Sequence, residues 1–277
     1  MRTNVVIIGG GPSGLLLSRL LSIDGIENIV LEKQSEEHVI SRIRAGVLES
    51  GTIEMLKKAG VSDRLQKEGF DHDGIQLSFK NHGFRINLKK LTNKHVTVYG
   101  QTEVTKDLYS IIKKENGEII NNAEDVLPQA IHTDAPFVTF KKDGVEKKIK
   151  CDLIAGCDGF HGISRTVIPK SIIKSYERKY PFGWLGILSE TPPVSDELIY
   201  ANHGNGFALA SMRNKNLSRY YIQTPLNENI KDWTDQKFWD ELKKRLPTEA
   251  ADSIITGNSI EKSIAPLRSF VCEPMSW

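Results

Sequence analysis

Three glycines near the start of the chain have the spacing of a dinucleotide-binding turn. Gly9, Gly11 and Gly14 follow the apolar segment Val5–Ile8 in the pattern G-x-G-x-x-G, and the residues after them predict a helix. In such a turn the first glycine permits the tight bend, the second lets a pyrophosphate approach the backbone, and the third lets helix and strand pack closely. Free N–H groups and the helix dipole then favour a bound phosphate.

Glu32 is the second feature of this region with a chemical use. It ends a predicted strand about 20 residues after the glycine motif, where a carboxylate can accept a hydrogen bond from a ribose 2′-OH. A βαβ unit without a ligand can also contain a glycine turn, so the motif alone is weak evidence. The turn, the strand and the acidic residue together favour dinucleotide binding.

Two arginines follow the second predicted strand after a short charged segment. Arg42 and Arg44 stand beside Ala45 and Gly46, and they have two interpretations. Charged side chains in a loop are usually solvated. A planar guanidinium also donates well to phosphate oxygens, so the pair can neutralise a pyrophosphate. The spacing leaves both interpretations open.

A second set of polar residues lies in a strand-rich region of the second half. Alternation along 207–213 places Ser211 and Arg213 on one face, after two apolar residues. If a partner strand turns Tyr221 to that face, three donors can hold a small carboxylate, with Tyr200 free to meet a second polar group. The alternative is an edge-strand arginine whose guanidinium reaches water.

The remaining pattern predicts the elements that position these residues. Helical spacing and strict alternation distinguish helices from strands. Helices are expected at 50–59, 102–114 and 233–246, and strands at 75–88, 96–99, 137–149, 151–157 and within 180–223. The strand 151–157 leads to Asp158, either in a simple turn or beside a cofactor, since ligands lie at the carboxyl ends of strands in open α/β sheets.

Length and charge limit the function classes. The chain has 277 residues, more than a usual single-core domain, with the 39% hydrophobic and 26% charged content of an ordinary globular protein. Its 37 basic and 35 acidic residues give a net charge of +2, which indicates no nucleic-acid or membrane partner. Without a signal peptide or a long apolar run, we expect a cytoplasmic protein. The three cysteines and the histidines have no metal-ligand spacing, so no metal is expected.

Several segments of the sequence together resemble one known family. They are V-V-I-I-G-G-G-P-S-G-L-L-L, R-I-R-A-G-V-L-E, V-T-V-Y-G-Q-T-E-V, A-G-C-D-G-F-H-G-I-S-R, Y-P-F-G-W-L-G, E-L-I-Y-A-N-H and E-K-S-I-A-P-L-R-S-F. The family is that of the 4-hydroxybenzoate 3-monooxygenases, which are FAD-dependent aromatic hydroxylases. The resemblance extends along the whole chain without large gaps.

The resemblance implies the fold and the residues around the flavin. The implied fold is α/β, with a Rossmann-like FAD-binding (βαβ) domain that is discontinuous in sequence and a β-sheet-rich substrate domain. The FAD-binding domain would comprise 1–70 and 96–170, and the substrate domain 71–95 and 171–277. Residues implied to contact FAD are Gly9, Gly11, Ser13, Gly14, Glu32, Arg42, Ile43, Arg44, Ala45, Gly46, Val47, Gln101 and Asp158.

The resemblance also implies the chemistry. The enzyme would convert 4-hydroxybenzoate to 3,4-dihydroxybenzoate with NAD(P)H and O2, through a flavin C4a-hydroperoxide. The implied catalytic residues are Tyr200, which meets the substrate phenol, and His72, the outer end of a proton relay. The implied substrate-binding residues are Tyr200, Ser211, Met212, Arg213 and Tyr221. The implied NAD(P)H-binding residues are Lys33, Gln34, His38, Arg44, His161 and Arg268.

Two departures from the family pattern affect these expectations. A tyrosine is frequent at the position of His38, so the choice between NADPH and NADH stays open, although the charge of Lys33 favours NADPH. Family members continue beyond Trp277 into segments that complete the flavin site, so the resemblance predicts a chain truncated at its C-terminus. The alternatives are a related hydroxylase for another aromatic acid and a non-catalytic fragment that binds flavin or an aromatic acid. A homodimer is compatible with the sequence.

Overall fold

The computed structural model describes residues 1–42, 45–80 and 82–275 as a mixed α/β protein. The strands are β1 (Val5–Ile8), β2 (Asn28–Leu31), β3 (Val47–Leu48), β4 (Phe70–His72), β5 (Gly74–Phe79), β6 (His82–Asn87), β7 (Val96–Val98), β8 (Glu118–Ile120), β9 (Glu124–Gln129), β10 (Phe137–Lys142), β11 (Val145–Lys150), β12 (Leu153–Gly156), β13 (Lys174–Ser189), β14 (Leu198–His203), β15 (Gly206–Asn214), β16 (Leu217–Pro225) and β17 (Ser259–Glu273). The helices are α1 (Pro12–Ile23), α2 (Glu36–Ser41), α3 (Ser50–Lys58), α4 (Asp63–Glu68), α5 (Leu88–Thr92), α6 (Gln101–Lys114), α7 (Asp235–Arg245) and α8 (Thr248–Ser253). Within those residue ranges, no helix combines the length and apolar character needed to cross a membrane.

A four-stranded parallel sheet, in the order β12-β1-β2-β8, carries the glycine turn. All four residues of β1 are buried, as expected for a strand covered on both faces. On one side, Val6 and Ile8 pack against Phe140 of the antiparallel sheet β11-β10-β9. On the other side, Val5 and Ile7 pack against α1. The turn after β1 is therefore held by burial on both sides of its strand.

A small antiparallel sheet, β3-β7-β4, positions two segments that matter for the site. Val47 pairs with Val98, which fixes the chain just after Gly46. His72 pairs with Val96 on the other edge of β7, and its side chain is buried. Strand β7 then leads into α6. One short sheet therefore orients the segment after Gly46, the residue His72 and the start of α6.

The second large sheet has seven strands in the order β17-β13-β16-β15-β14-β5-β6. Neighbouring strands are antiparallel except β14 and β5, which are parallel. One face packs against α7 and α8, in a core that includes Leu185, Tyr220 and Phe238. Because side chains alternate along a strand, Tyr221 points to the opposite face.

The elements predicted from sequence are largely confirmed. The helices expected at 50–59 and 102–114 are α3 and α6, and the hairpins at 75–88 and 137–149 are β5–β6 and β10–β11. The helix expected at 233–246 is shorter, because α7 begins at Asp235 and ends at Arg245. The sequence pattern did not indicate the long pair β13–β17, whose register extends from Lys174 to Ser189. The division into two domains stays a prediction.

Replacement of Phe238 tests the packing of α7 on the large sheet, because this side chain is fully buried there. We expect Phe238→Ala to lower the free energy of unfolding by about 3–5 kcal/mol, since the lost ring leaves a cavity. Urea denaturation measures the change. In the control, Phe84→Ala, the ring is 59% exposed on edge strand β6, and the loss stays below about 1 kcal/mol. Equal losses in the two variants would contradict the assignment of this core.

Candidate active site

The carboxyl ends of three parallel strands open into one cleft. Gly9, Glu32 and Cys157 directly follow β1, β2 and β12. The Gly9 N–H donates to the carbonyl of Leu31 (2.8 Å), and the Cys157 N–H donates to that of Ile8 (2.7 Å). The cleft has a volume of about 470 Å³ and lies where open α/β sheets bind ligands. Predicted flavin contacts that line it are Gly9, Gly11, Ser13, Glu32, Arg42, Gln101 and Asp158.

The three motif glycines meet different surroundings. A Cβ on Gly14 would lie 2.0 Å from the Gly9 carbonyl oxygen, and a Cβ on Gly9 would lie 2.5 Å from that of Cys157. Gly9 also has a φ of 110°, which side chains rarely allow. Within the described ranges, a Cβ on Gly11 would meet no atom closer than 4 Å, and no side chain caps the start of α1 there. The N–H groups at the start of α1 therefore face free space that fits a pyrophosphate.

Two carboxylates border the cleft in fixed orientations. Glu32 accepts hydrogen bonds from the N–H groups of Gly10 (2.6 Å) and Gln34 (2.8 Å). Asp158 accepts from both the N–H (2.9 Å) and the hydroxyl (3.0 Å) of Ser164. A ribose hydroxyl can thus meet an oriented acceptor at the end of β2, whereas Asp158 is bonded to the turn that follows it.

The thiol of Cys157 lines the cleft beside Ser13. Burial raises the pKa of Cys157, and a hydrogen bond with the Ser13 hydroxyl opposes this only in part. The thiol is therefore uncharged at neutral pH and does not repel a phosphate.

The segment 45–47 joins the cleft to the rest of the site. The Gln101 N–H donates to the carbonyl of Ala45 (3.1 Å), and the Tyr99 N–H donates to that of Gly46 (2.8 Å). Val47 continues into β3. These bonds fix the segment against the start of α6, which itself lines the cleft through Gln101.

The sequence predicted further contacts near the cleft, at Lys33, Gln34, His38, Ile43 and Arg44. Gln34 and His38 line the cleft itself. Lys33 is exposed and is not part of the lining. Ile43 and Arg44 lie outside the described residues, so their predicted contacts stay predictions.

A row of side chains crosses the seven-stranded sheet on the face away from α7. Tyr200 pairs with Leu209, and Leu209 pairs with Tyr221. Paired residues on neighbouring strands point to the same face, so the two tyrosines share it. Gly186 pairs with Tyr221 on the far side, and a Cβ there would lie 2.6 Å from the Tyr221 ring. The bare glycine gives the ring room to lie close to the sheet.

Arg213 lies on this face, and its guanidinium is largely shielded from water. It follows Ser211 on β15, where the pairing with β16 shifts register after Met212. Since β15 is an interior strand, Arg213 is not an edge-strand residue. Burial lowers the pKa of its guanidinium, while a hydrogen bond to Tyr221 opposes that change. Met212 pairs with Ser218 and points its side chain away from Ser211, whose hydroxyl donates to the Met212 carbonyl (3.2 Å).

Gly46 lies next to this guanidinium. A Cβ on Gly46 would lie 2.6 Å from Nη1 of Arg213 and 3.0 Å from Cα of Gly100. A side chain at this position would therefore displace Arg213 or the backbone. The segment 45–47, which is hydrogen-bonded to the start of α6 beside the cleft, therefore reaches the polar face of the large sheet at this glycine.

Tyr200 and His72 are both shielded from water. Burial raises the pKa of Tyr200, and the negative charge of Glu49 adds to the effect. Burial lowers the pKa of His72, and among the described residues neither of its ring nitrogens has a hydrogen-bond partner. Tyr200 is therefore protonated at neutral pH, and no hydrogen bond joins it directly to His72.

The comparisons with known proteins agree with this geometry. The family described as FAD binding domain matches residues 2–277. The chain belongs to this family. The p-hydroxybenzoate hydroxylase of Acinetobacter baylyi is 50% identical over 276 residues, which are 99% of this chain and 68% of that protein.

Among solved structures, PqsL of Pseudomonas aeruginosa, a probable FAD-dependent monooxygenase, has a TM-score of 0.80 at 19% identity. The match covers 96% of this chain and 74% of the PqsL chain. The p-nitrophenol 4-monooxygenase PnpA of Pseudomonas putida DLL-E4 has a TM-score of 0.80 at 17% identity, covering 98% of this chain and 70% of its own.

Membership of the FAD binding domain family identifies FAD as the cofactor of this protein. The two solved structures show that the chain shares the fold of these two monooxygenases. The uncapped start of α1 and the open space beside Gly11 fit the pyrophosphate of this dinucleotide.

Two residues of the site, Arg219 and Gly186, were not predicted from the sequence. Arg219 donates through Nε to the hydroxyl of Tyr221 (3.1 Å) and through Nη2 to Glu261 (3.1 Å). Gly186 makes room for the Tyr221 ring. Alternation along β16 could have placed Arg219 on the face of Tyr221, whereas the role of Gly186 depends on a register with no local sequence signal.

His161 and Arg268, predicted to contact the pyridine nucleotide, come together at another place. Nη2 of Arg268 lies 3.2 Å from Nε2 of His161. The guanidinium of Arg268 also lies 4.0 Å from the ring centre of Phe160, and Arg165 stacks on the same ring at 4.8 Å. Stacking on an aromatic ring preorganises a guanidinium and leaves its N–H groups available to an anion.

Two alanine variants test the fit of FAD to the glycine turn. We expect Gly11→Ala to weaken FAD binding at least about tenfold, because its Cβ enters the space proposed for the pyrophosphate, while the FAD-free chain loses no more than about 1 kcal/mol. We expect Gly14→Ala to destabilise the FAD-free chain itself, because its Cβ would lie 2.0 Å from the Gly9 carbonyl oxygen. Flavin fluorescence titration and thermal denaturation separate the two effects. Unchanged FAD affinity in Gly11→Ala would contradict the placement.

Proposed function

We propose that this protein hydroxylates 4-hydroxybenzoate to 3,4-dihydroxybenzoate with NAD(P)H and O2. One observation supports the proposal most strongly: the guanidinium of Arg213, largely shielded from water, lies beside Tyr221 and next to Gly46, in the segment that is hydrogen-bonded to the start of α6 at the FAD cleft. This arrangement suits an aromatic acid bound beside a flavin. The 50% identity to the hydroxylase of Acinetobacter baylyi supports the same reaction.

In this proposal the cleft residues hold and orient FAD. The start of α1 binds the pyrophosphate, Glu32 accepts from the ribose, and the segment 45–47 orients the ring system. Bound FAD would supply the redox chemistry, which amino-acid side chains lack. The proposed contacts are Gly9, Gly11, Ser13, Gly14, Glu32, Arg42, Ala45, Gly46, Val47, Gln101 and Asp158, seven of which line the cleft.

Arg213 would bind the carboxylate of the substrate. A buried cation is costly unless an anion pairs with it, and burial lowers the pKa of this guanidinium. A carboxylate ligand supplies that anion, and the hydroxyl of Tyr221 can donate to the same group; the hydroxyl of Ser211 can do so once it turns from the Met212 carbonyl. With one end of the ring fixed, the distance from the carboxylate sets which ring carbon lies at the flavin edge.

Tyr200 would meet the phenol at the other end of the substrate. Its hydroxyl is protonated at neutral pH, because burial raises its pKa, so it can donate to a phenolate oxygen. Loss of the phenol proton makes the ring a stronger nucleophile. We propose that His72 receives this proton through intervening groups, since burial lowers its pKa and its ring nitrogens have no hydrogen-bond partner in the part of the chain that the structure describes.

NAD(P)H would bind transiently on the outer side of this site. The paired His161 and Arg268 offer donors for a phosphate. Gln34 and His38 line the rim of the cleft, and the charge of exposed Lys33 favours NADPH. Arg44 is proposed to contribute to the same interaction.

We extend the proposal to domain organisation and location. The FAD-binding domain would comprise 1–70 and 96–170, and the substrate domain 71–95 and 171–277. Cys151, Cys157 and Cys272 are unpaired, which is typical of the reducing cytoplasm.

Product analysis tests the proposed reaction directly. Incubation of the protein with FAD, NADPH, O2 and 4-hydroxybenzoate is expected to yield 3,4-dihydroxybenzoate, detected by chromatography and mass spectrometry. A panel of aromatic acids, tested for stimulation of NADPH oxidation, distinguishes a related hydroxylase with another substrate. FAD binding without turnover would indicate a non-catalytic binding protein, and nucleotide oxidation that yields only peroxide would argue against hydroxylation.

The role of Arg213 is tested by its replacement with alanine. We expect Arg213→Ala to weaken 4-hydroxybenzoate binding by at least about 30-fold, because a charge-assisted hydrogen bond in a buried site is lost. FAD affinity should change less than about threefold, since Arg213 lies outside the cleft lining. Perturbation of the flavin absorbance by the substrate measures the affinity for 4-hydroxybenzoate, and fluorescence titration measures the affinity for FAD. Comparable losses of both affinities would show that the carboxylate site is misplaced.

A further inference from the structure

Tyr99 links the segment 45–47 to a group of charged side chains outside the cleft. Its backbone N–H donates to the carbonyl of Gly46 (2.8 Å), and its hydroxyl donates to Oδ2 of Asp107 (2.6 Å). The residue is only 3% exposed. Burial raises the pKa of Tyr99, and the hydrogen bond to Asp107 adds to that change, so the hydroxyl keeps the proton that it donates. One buried residue therefore connects the carbonyl of Gly46 with a carboxylate of α6.

Asp107 is held on its other oxygen by Arg64 of α4. Nη1 of Arg64 donates to Oδ1 of Asp107 (2.5 Å), and Nη2 donates to Glu103 (2.6 Å). Arg64 also donates from Nε and Nη2 to the two carboxylate oxygens of Glu68, at 3.2 and 3.0 Å. A planar guanidinium with several such bonds fixes the orientation of its partners as well as their charge. Asp107 is thus bonded both to α4 and to the residue that precedes Gly100.

Helix α6 carries these carboxylates and the cleft wall on opposite faces. Gln101 and Thr105 line the cleft. Because successive residues of a helix are about 100° apart, Glu103 and Asp107 project from the other side. The N–H of Gln101 donates to the carbonyl of Ala45 (3.1 Å). The bonds on the outer face of α6 therefore fix the element that presents Gln101 to the cleft.

We propose that a positioning network made of Tyr99, Asp107 and Arg64 holds the segment that contains Gly46 against the start of α6. Gly46 in turn lies next to Arg213, where a Cβ on this glycine would be 2.6 Å from Nη1. Loss of the Tyr99 hydroxyl loosens the connection between β7 and α6, so the segment is no longer fixed relative to the guanidinium. The consequence for substrate binding rests on the proposed function, whereas the anchoring of the segment does not.

Amide hydrogen exchange in the whole chain with FAD added tests this anchoring. Tyr99→Phe removes one oxygen atom and keeps the buried ring. We expect it to speed exchange of the backbone amides at positions 99 and 101 at least about tenfold, because a hydrogen bond to a carboxylate is lost and these amides donate to the segment 45–47. Exchange at Leu108, in the middle of α6, serves as the internal reference.

The matched control is Tyr109→Phe. Tyr109 is 2% exposed, belongs to the same apolar core as Tyr99, and donates from its hydroxyl to Asn121 (3.0 Å), directly after β8. A purely structural role of a buried hydroxyl predicts the same effect in both variants. We expect Tyr109→Phe to change exchange at positions 99 and 101 less than about twofold. Equal changes in the two variants would overturn the proposal.

A double variant tests whether Tyr99 acts through Asp107. Once Asp107→Ala has removed the acceptor, adding Tyr99→Phe should speed exchange at positions 99 and 101 by no more than about twofold, because the bond is already lost. A further tenfold increase would show that Tyr99 acts independently of Asp107 and would contradict the network. If Asp107→Ala does not fold, the comparison of Tyr99→Phe with Tyr109→Phe decides.

Substrate binding tests the consequence for the site. We expect Tyr99→Phe to weaken 4-hydroxybenzoate binding about threefold or more, since the neighbour of Arg213 is no longer fixed, while Tyr109→Phe leaves it unchanged. Faster exchange in Tyr99→Phe, with no binding of 4-hydroxybenzoate to the unaltered chain, would overturn the proposed function alone. Hydroxylation by the unaltered chain, with equal exchange in Tyr99→Phe and Tyr109→Phe, would overturn this inference alone.

Discussion

The close approach of Gly46 to Arg213 is the contact on which the organisation of the site depends. At 2.6 Å from Nη1, a Cβ on Gly46 would push the guanidinium away from Tyr221 or open the segment 45–47. That segment is also hydrogen-bonded to the start of α6. A single backbone position without a side chain thus lets a parallel sheet and a largely antiparallel sheet contribute to one site.

The polar face of the large sheet is costly without a ligand. Its opposite face is covered by α7 and α8, and the burial of residues such as Tyr220 and Phe238 supports the sheet. On the polar face, Arg213 and Arg219 are both largely shielded from water; Glu261 forms an ion pair with Arg219, and its charge also acts on Arg213. The packing of one face therefore supports two neighbouring cations and one carboxylate on the other, and a bound carboxylate would compensate the excess positive charge.

Local features of the site could be predicted from the sequence, and long-range ones could not. The glycine turn, Glu32 and the face shared by Ser211 and Arg213 depend on spacing within one segment, and spacing determines which side chains point together. The room beneath the Tyr221 ring at Gly186, by contrast, depends on registers between distant strands. The bidentate ion pair of Arg85 with Glu197 likewise joins residues 112 positions apart.

The same reasoning applies to the fold. The alternation in β5, β6, β10 and β11 indicated hairpins because each pair is joined by a short turn. Strands β13 and β17 are separated in the chain by β14, β15, β16, α7 and α8, and exposed residues such as Tyr176 weaken their alternation. Only the completed sheet shows them as neighbours.

The aromatic ring of Trp184 has a consequence for observing this protein. It stands edge-to-face against Phe207 at 4.8 Å and Tyr221 at 5.9 Å between ring centres, whereas Trp233 and Trp239 belong to the core on the other side of the sheet. Because indole emission responds to nearby rings and charges, the polar face contains an intrinsic fluorophore. Occupancy next to Tyr221 can thus be followed optically, without a label.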